Sequence, residues 1–205
     1  MDATDNGSIT MGIGVQSVVN KGTMGGSFDQ STTSKQPSLT TINGVQALGF
    51  SQSLLTGLAG AATITAPYTI SALYQVTAAG GFRVLSSKSA NWFVGPYNSK
   101  WAVYQGGWTQ NSGVHDTVPV IVTVTDTGTV TDIYINGAVS TSYPTSPPTS
   151  YNSSLRANAG LLAFGSGGFF AQSFNGAVGD LIVASDVASR ADQESYLASK
   201  YGVTI

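Results

Sequence analysis

Between Val118 and Ser142 the chain alternates residue by residue. Val118, Val120, Val122 and Val124 take turns with Pro119, Ile121, Thr123 and Thr125. A period of two places one set on each face of a strand, and β-branched residues favour that pleated conformation. Asp126-Thr127-Gly128 then supplies a turn, Val130–Ile135 returns, and Asn136-Gly137 makes a second tight turn. Asn-Gly tolerates the positive φ angles of a type I′ hairpin. Pro119 cannot donate a ladder hydrogen bond, so it belongs at a strand start or on an edge.

The same pattern recurs along the chain. Gly44–Phe50 and Tyr68–Val76 read as strands. Phe82–Ser86, Trp92–Gly95 and Lys100–Gln105 read as a meander with short turns. Gly160–Gly165, Phe169–Phe174 and Ala177–Ala184 complete the set. Lys35-Gln36-Pro37-Ser38 and the proline-rich stretch Tyr143–Tyr151 read as loops. One helix is predicted near the C-terminus, with Ser189 as N-cap and Asp192 three residues on in a capping-box arrangement. Ala191, Glu194, Leu197, Ala198 and Tyr201 share its face, broken by Glu194, and Gly202 ends it. The prediction from the residues is an all-β sandwich or barrel with one short C-terminal helix, as a single domain over residues 1–205.

Composition limits the chemistry. Charged residues are 9% of the chain, against about 25% in an ordinary soluble domain. The net charge of −2 argues against gripping nucleic acid through its phosphates. No apolar run approaches the roughly 20 residues that a membrane helix needs, so no membrane partner is expected. Cysteine is absent, which excludes disulfides and sulfur-based metal sites. The opening Met1-Asp2-Ala3-Thr4-Asp5-Asn6-Gly7 is acidic and polar, unlike a secretory signal. The expectation is a product that stays where it is made or leaves by a route needing no signal.

Several segments together resemble the laminin-G-like branch of the concanavalin A-like lectin/glucanase superfamily. The strongest is Phe174–Val183, followed by Ser189-Arg190-Ala191-Asp192 and Tyr196–Gly202. Ile133-Tyr134-Ile135-Asn136-Gly137, Ile42–Phe50 and Asp2-Ala3-Thr4-Asp5 are similar to the family's hairpin, early strand and start. The resemblance implies a jelly roll of two antiparallel sheets. None of these motifs is catalytic.

Glycoside hydrolysis needs two carboxylates flanking the scissile bond. Related glucanases carry an E-x-D-x-E strand, whereas this chain has a single glutamate, Glu194, on the predicted helix. Asp126 falls in a turn, Asp132 in a hairpin strand and Asp192 in the helix cap, which leaves Asp180 as the one notable mid-strand acid. His115-Asp116 are adjacent on an extended segment and point to opposite sides, against the geometry of a Ser-His-Asp triad. No enzyme activity is expected, and no cofactor. Calcium is the one ion that the resemblance allows, with Asp2, Asp5, Asn6, Asp29 and Asp116 available, but no D-x-D-x-D-G spacing gathers them.

Aromatic residues are the best binding candidates. Alternation puts Trp92 and Val94 on one face and Phe93 and Gly95 on the other; it separates Trp101 and Val103 from Ala102 and Tyr104 in the same way. Trp92 and Trp101 are assigned to the core. Trp108, Tyr97, Tyr143 and Tyr151 are the candidates for contact with a glycan or partner. The function expected is a non-catalytic virion structural protein, a bacteriophage capsid decoration or tail-associated protein assembled in the host cytoplasm. Its partners would be the major capsid protein or another virion protein, a host-surface glycan, and further copies of itself in a homo-oligomer. The alternative is a carbohydrate-binding lectin module without catalysis.

Overall fold

A computed structural model describes residues 1–23, 25–51, 53, 55–59, 64–77, 83–87, 92–97, 100–105, 112–114, 117–143, 158–160, 162–164 and 174–205. Its strands in chain order are β1 (Ile9–Met11), β2 (Val15–Val19), β3 (Ser27–Asp29), β4 (Ser38–Ile42), β5 (Val45–Ser51) and β6 (Thr56–Ala59). There follow β7 (Ile64–Thr65), β8 (Tyr68–Val76), β9 (Leu85–Ser87), β10 (Trp92–Tyr97), β11 (Lys100–Gln105) and β12 (Ser112–Val114). The last are β13 (Val120–Asp126), β14 (Thr131–Ile135), β15 (Ala138–Tyr143), β16 (Asn158–Gly160), β17 (Leu162–Phe164) and β18 (Asn175–Ala184), before helix α1 (Arg190–Tyr201).

One layer is a seven-stranded antiparallel sheet in the order β15-β14-β13-β8-β18-β5-β4. The facing layer combines a five-stranded sheet, β12-β11-β10-β9-β17, with a four-stranded sheet, β1-β2-β3-β6, and β17 runs beside β6. β16 and β7 form a separate two-stranded pair beside β9 and β10, with Ile64 of β7 buried in the core. The predicted all-β sandwich is therefore what forms.

The period-two pattern sets what each face buries. Tyr68, Ile70, Ala72, Tyr74 and Val76 of β8, with Val120, Val122 and Val124 of β13, point into the sandwich. They meet Trp92, Val94, Trp101 and Val103 from the facing layer, as well as Val15, Val18 and Phe28. Tyr74 packs on Trp101 with ring centroids 5.2 Å apart. Both tryptophans are fully buried, as the alternation predicts. Each large side chain in this layer contributes about 1.5–3 kcal/mol through burial.

The outer face of the seven-stranded sheet is covered too. Leu73, Ile121, Ala47, Ile42 and Ala177 pack against Leu197 and Tyr201 of α1. This explains why every residue of β13 is buried: one face lies in the sandwich and the other under the helix. Glu194 sits on the covered face of α1, and Ala191, predicted to share that face, is exposed while Gln193 is buried.

The predicted turns form as read. Asn136 and Gly137 have φ of 48° and 79°. Asp126 locks the earlier turn, its carboxylate accepting from Gly128 N at 2.6 Å and Thr131 Oγ1 at 2.9 Å. Pro119 immediately precedes β13, as expected. Other expectations are corrected: Tyr143, read as loop, is the last residue of β15, and Val118, read as part of the alternating strand, lies before β13 and is exposed. Ser38, read as loop, starts β4, and Asn43-Gly44 is the hairpin turn joining β4 to β5, with φ of 50° and 81°. Ser189 makes no side-chain cap; the Asp186 carboxylate instead accepts from Ser189 N at 2.7 Å. Gly202 does end the helix in the left-handed conformation. Phe174 is described and buried, but residues 169–173 of the predicted strand lie outside the described residues.

Candidate functional site

The N-terminal segment, β18 and α1 converge on one carboxylate. In β18 the register against β8 shifts between Val178 and Leu181, so that Gly179 and Asp180 together oppose Leu73. Such a bulge re-aims a side chain. Simple alternation from Val178 would send Asp180 into the sandwich; the bulge turns it toward α1 instead. Gly179 is needed there because a Cβ would come within 2.8 Å of Tyr201 Cζ.

Asp180 is 1% exposed and accepts four hydrogen bonds. Ala3 N donates to Oδ1 at 2.9 Å and the Tyr201 hydroxyl at 3.0 Å. Lys200 Nζ donates to Oδ2 at 2.6 Å and the Tyr196 hydroxyl at 3.0 Å. Lys200 also reaches Asp2 Oδ1 at 2.9 Å. Met1 and Leu181 exchange main-chain hydrogen bonds beside this cluster, at 2.7 and 3.1 Å.

The cluster sets its own charges. Burial works against the Lys200 ammonium, but hydrogen bonds to Asp180, Tyr196 and Asp2 outweigh it and hold the lysine above its ordinary pKa. Burial pushes Asp2 up, yet hydrogen bonds from Thr4 and Lys200 win and pull it down to about 2. Burial and then the Asp180 charge push the Tyr201 hydroxyl well up.

A cleft of about 460 Å³ opens beside this cluster. Asp2, Asn20, Lys21, Thr23, Leu181 and Tyr196 are among its walls. Tyr196 is 46% exposed, the largest exposed aromatic among the described residues. Asp5 pairs with Lys21 along the rim and caps the turn at Asn6–Ser8 through Gly7 N. The cleft thus combines an aromatic wall with carboxylate, amide, ammonium and hydroxyl groups, a composition suited to a polyhydroxylated ligand.

The sequence-read candidates stand elsewhere. Tyr97 ends β10 opposite Lys100, and Tyr143 ends β15 opposite Thr131; only their backbones are described. Trp108, Tyr151, His115 and Asp116 lie outside the described residues. On the outer face of the five-stranded sheet, Phe93 stacks on Tyr104 at 5.6 Å and the Arg83 guanidinium lies 4.2 Å over Phe93. Of the calcium candidates, Asp29 accepts from Ser17 and Ser27 hydroxyls, both at 2.6 Å, and Asn6 accepts from Gln46 at 3.0 Å. Among the described residues no three His, Asp or Glu side chains gather as a metal site. Tyr196 and Asp2 had no local signal joining them: they are brought together only through Lys200 and Asp180.

No family profile matches the sequence, and a search of curated proteins finds no match. Solved structures match in fold. The binding domain of Paraclostridial Mosquitocidal Protein 1 superposes with a TM-score of 0.58 at 12% identity, over 90% of this chain and 51% of that one. A putative carbohydrate-binding protein from Bacteroides ovatus gives 0.55 at 13% identity, over 83% and 54%. The enzymatically active domain of bacteriophage CBA120 tailspike protein 2 gives 0.53 at 18% identity, over 81% and 29%. The likeness is one of fold. This chain spans about half the length of the first solved structures it matches.

Proposed function

We propose that this chain is a non-catalytic carbohydrate-binding domain carried on a phage particle, with the sugar seated in the Tyr196 cleft. The observation that carries this reading is the half-exposed Tyr196 ring in a cleft that also presents Asp2. An aromatic face supports the apolar face of a sugar ring, and a carboxylate accepts from its hydroxyls. Among the fold neighbours, a putative carbohydrate-binding protein supports the sugar-binding part and a tailspike domain the phage part. The non-catalytic part rests on charge. A glycosidase acid needs a raised pKa; in the cleft Asp2 is pulled down to about 2 and Asp180 is engaged by four donors, while Glu194, which burial pushes up, is not among the cleft walls.

A glycan array followed by calorimetry tests the reading. Tyr196→Ala removes the ring and is expected to abolish binding. Tyr196→Phe keeps the ring and is expected to retain most of it. Absence of any glycan ligand overturns the proposal. Loss of binding in Trp108→Ala with none in Tyr196→Ala moves the site out of the cleft.

The second reading is docking on a capsid shell, supported by the uncharged edge strand β4, which is exposed at Ser38, Leu39 and Thr41. Quantitative mass spectrometry of purified particles separates the two. A copy number near a simple fraction of the main shell protein favours decoration, and a few copies per particle favour a tail component that reads glycans.

A further inference from the structure

Strand β4 forms an edge of the seven-stranded sheet, with no strand on its outer side among the described residues. Its register with β5 is Ser38↔Gly49, Leu39↔Leu48, Thr40↔Ala47, Thr41↔Gln46 and Ile42↔Val45. The two-residue turn at Asn43-Gly44 makes Ile42 and Val45 a hydrogen-bonded pair, and bonded pairs alternate along an antiparallel ladder. Thr40 and Ser38 therefore bond inward to β5. Leu39 and Thr41 turn their main-chain N–H and C=O groups outward. Both residues are exposed, Leu39 at 38%.

Edges of this kind are usually blunted by a lysine, a proline or a bulge. None interrupts residues 38–42, and the pairing with β5 runs without a register shift. The strand has no charge to repel a copy of itself. Apolar surface continues beside it: Met11 and Ile13 are 49% and 89% exposed in the β1–β2 hairpin. That hairpin is tied to the start of β4 by Val15 N to Pro37 O at 2.7 Å and Gly14 N to Gln36 Oε1 at 3.0 Å.

We propose that β4 pairs antiparallel with β4 of a second copy of this chain, about a two-fold axis at Thr40. The register follows from the outward groups. Setting Leu39 against Thr41 of the second copy, and Thr41 against its Leu39, uses both outward donors and both outward acceptors of each strand. Thr40 then faces its own equivalent across the axis. A register centred on Leu39 would set Thr41 against Pro37, which has no N–H to give. The interface is isologous and joins two seven-stranded sheets into one continuous sheet. It is separate from the Tyr196 cleft and does not depend on what the cleft binds.

The chain has no cysteine, so a single introduced thiol reads the register. In a non-bonded antiparallel pair the Cα atoms are about 4.5 Å apart, within disulfide range. Thr40→Cys is expected to cross-link into a covalent dimer under mild oxidation, and Ser38→Cys, which would face Ile42 of the second copy, is expected not to. Sedimentation equilibrium should show a reversible monomer–dimer system. Leu39→Lys should weaken the dimer by about tenfold or more, because the lysines crowd the same edge, with its melting curve reporting an intact fold. A wild-type chain that stays monomeric at high concentration overturns the proposal. So does Thr40→Cys cross-linking no faster than Ser38→Cys, or a dimer indifferent to Leu39→Lys.

Discussion

Lys200 Nζ sits 2.6 Å from Asp180 Oδ2, and the two residues tie the last turn of the helix to a bulge in the central part of the sheet. The other Asp180 oxygen takes the amide of Ala3, so the same carboxylate anchors the N-terminal segment. The chain start thus meets the last strand and the C-terminal helix at one side chain. The cleft wall formed by Asp2 and Tyr196 is fixed by the same contacts.

Removing this carboxylate should be costly. Asp180→Ala leaves the Lys200 ammonium without its closest anion and two tyrosine hydroxyls short of an acceptor. Breaking a fully buried ion pair from one side costs about 3–5 kcal/mol, and the lower end of that range applies here because Lys200 is 18% exposed and keeps Asp2. Urea unfolding should show a loss in this range, with Asp180→Asn losing less because it retains an acceptor for Ala3 N. A loss below about 1 kcal/mol would mean that neighbouring groups replace the clasp.

Stability should fall at both ends of the pH scale. Folding lowers the Asp2 pKa from 3.8 to about 2. The folded state therefore binds fewer protons between those values, and this stabilisation is present above about pH 4 and lost as pH falls through about 2. Asp2 is more than a third exposed, so the acid limb is shallow. Lys200 and Tyr201 are both raised above ordinary values of 10.5 and 10.0. Their contribution is complete below those values and is lost as pH rises beyond them. Melting temperatures across pH should show both limbs. Asp2→Asn should flatten the acid limb and leave most of the alkaline one.

The sheet was readable wherever apolar and polar residues alternate. Trp92 and Trp101 fall in the core because the residues that follow them in their strands, Phe93 and Ala102, take the opposite face. The same reasoning missed β4, since Ser38-Leu39-Thr40-Thr41-Ile42 follows a Lys-Gln-Pro loop and lacks a polar–apolar alternation. Strands β1 and β3 are three residues each, too short to show a period. The site was harder still. Asp180 was visible as a mid-strand acid, but its direction depends on a bulge that no local pattern announces. Asp2 and Lys200 are 198 positions apart, and only the folded sheet brings them within 2.9 Å.

The helix start gives a direct comparison of two readings. Sequence spacing assigns the cap to Ser189 and Asp192, whereas the structure places the Asp186 carboxylate on Ser189 N at 2.7 Å. A side-chain oxygen that accepts from a main-chain amide at a helix start stabilises the helix. Asp186→Ala should therefore lower the melting temperature, and Asp192→Ala, at an exposed position, should lower it by less. Thermal denaturation of the two variants decides between them, and a larger loss from Asp192→Ala would restore the capping box.

Asn136 does more than make its turn. Its backbone N–H donates to Ile121 O at 2.9 Å, and its side-chain oxygen accepts from Ile121 N, also at 2.9 Å. The side chain thus prolongs the ladder onto β13, where Ile121 is fully buried. Three substitutions separate the two roles. Asn136→Asp keeps an acceptor and tolerates positive φ, so it should cost least. Asn136→Gly keeps the φ of 48° but strands the Ile121 amide, a loss of about 1–3 kcal/mol. Asn136→Ala loses the acceptor and adds about 1–2 kcal/mol of left-handed strain. Denaturant midpoints at constant m-value should rank them Asp, Gly, Ala from least to most damaging. Equal losses for Gly and Ala would mean that the side-chain bond, and not the turn conformation, accounts for the whole effect.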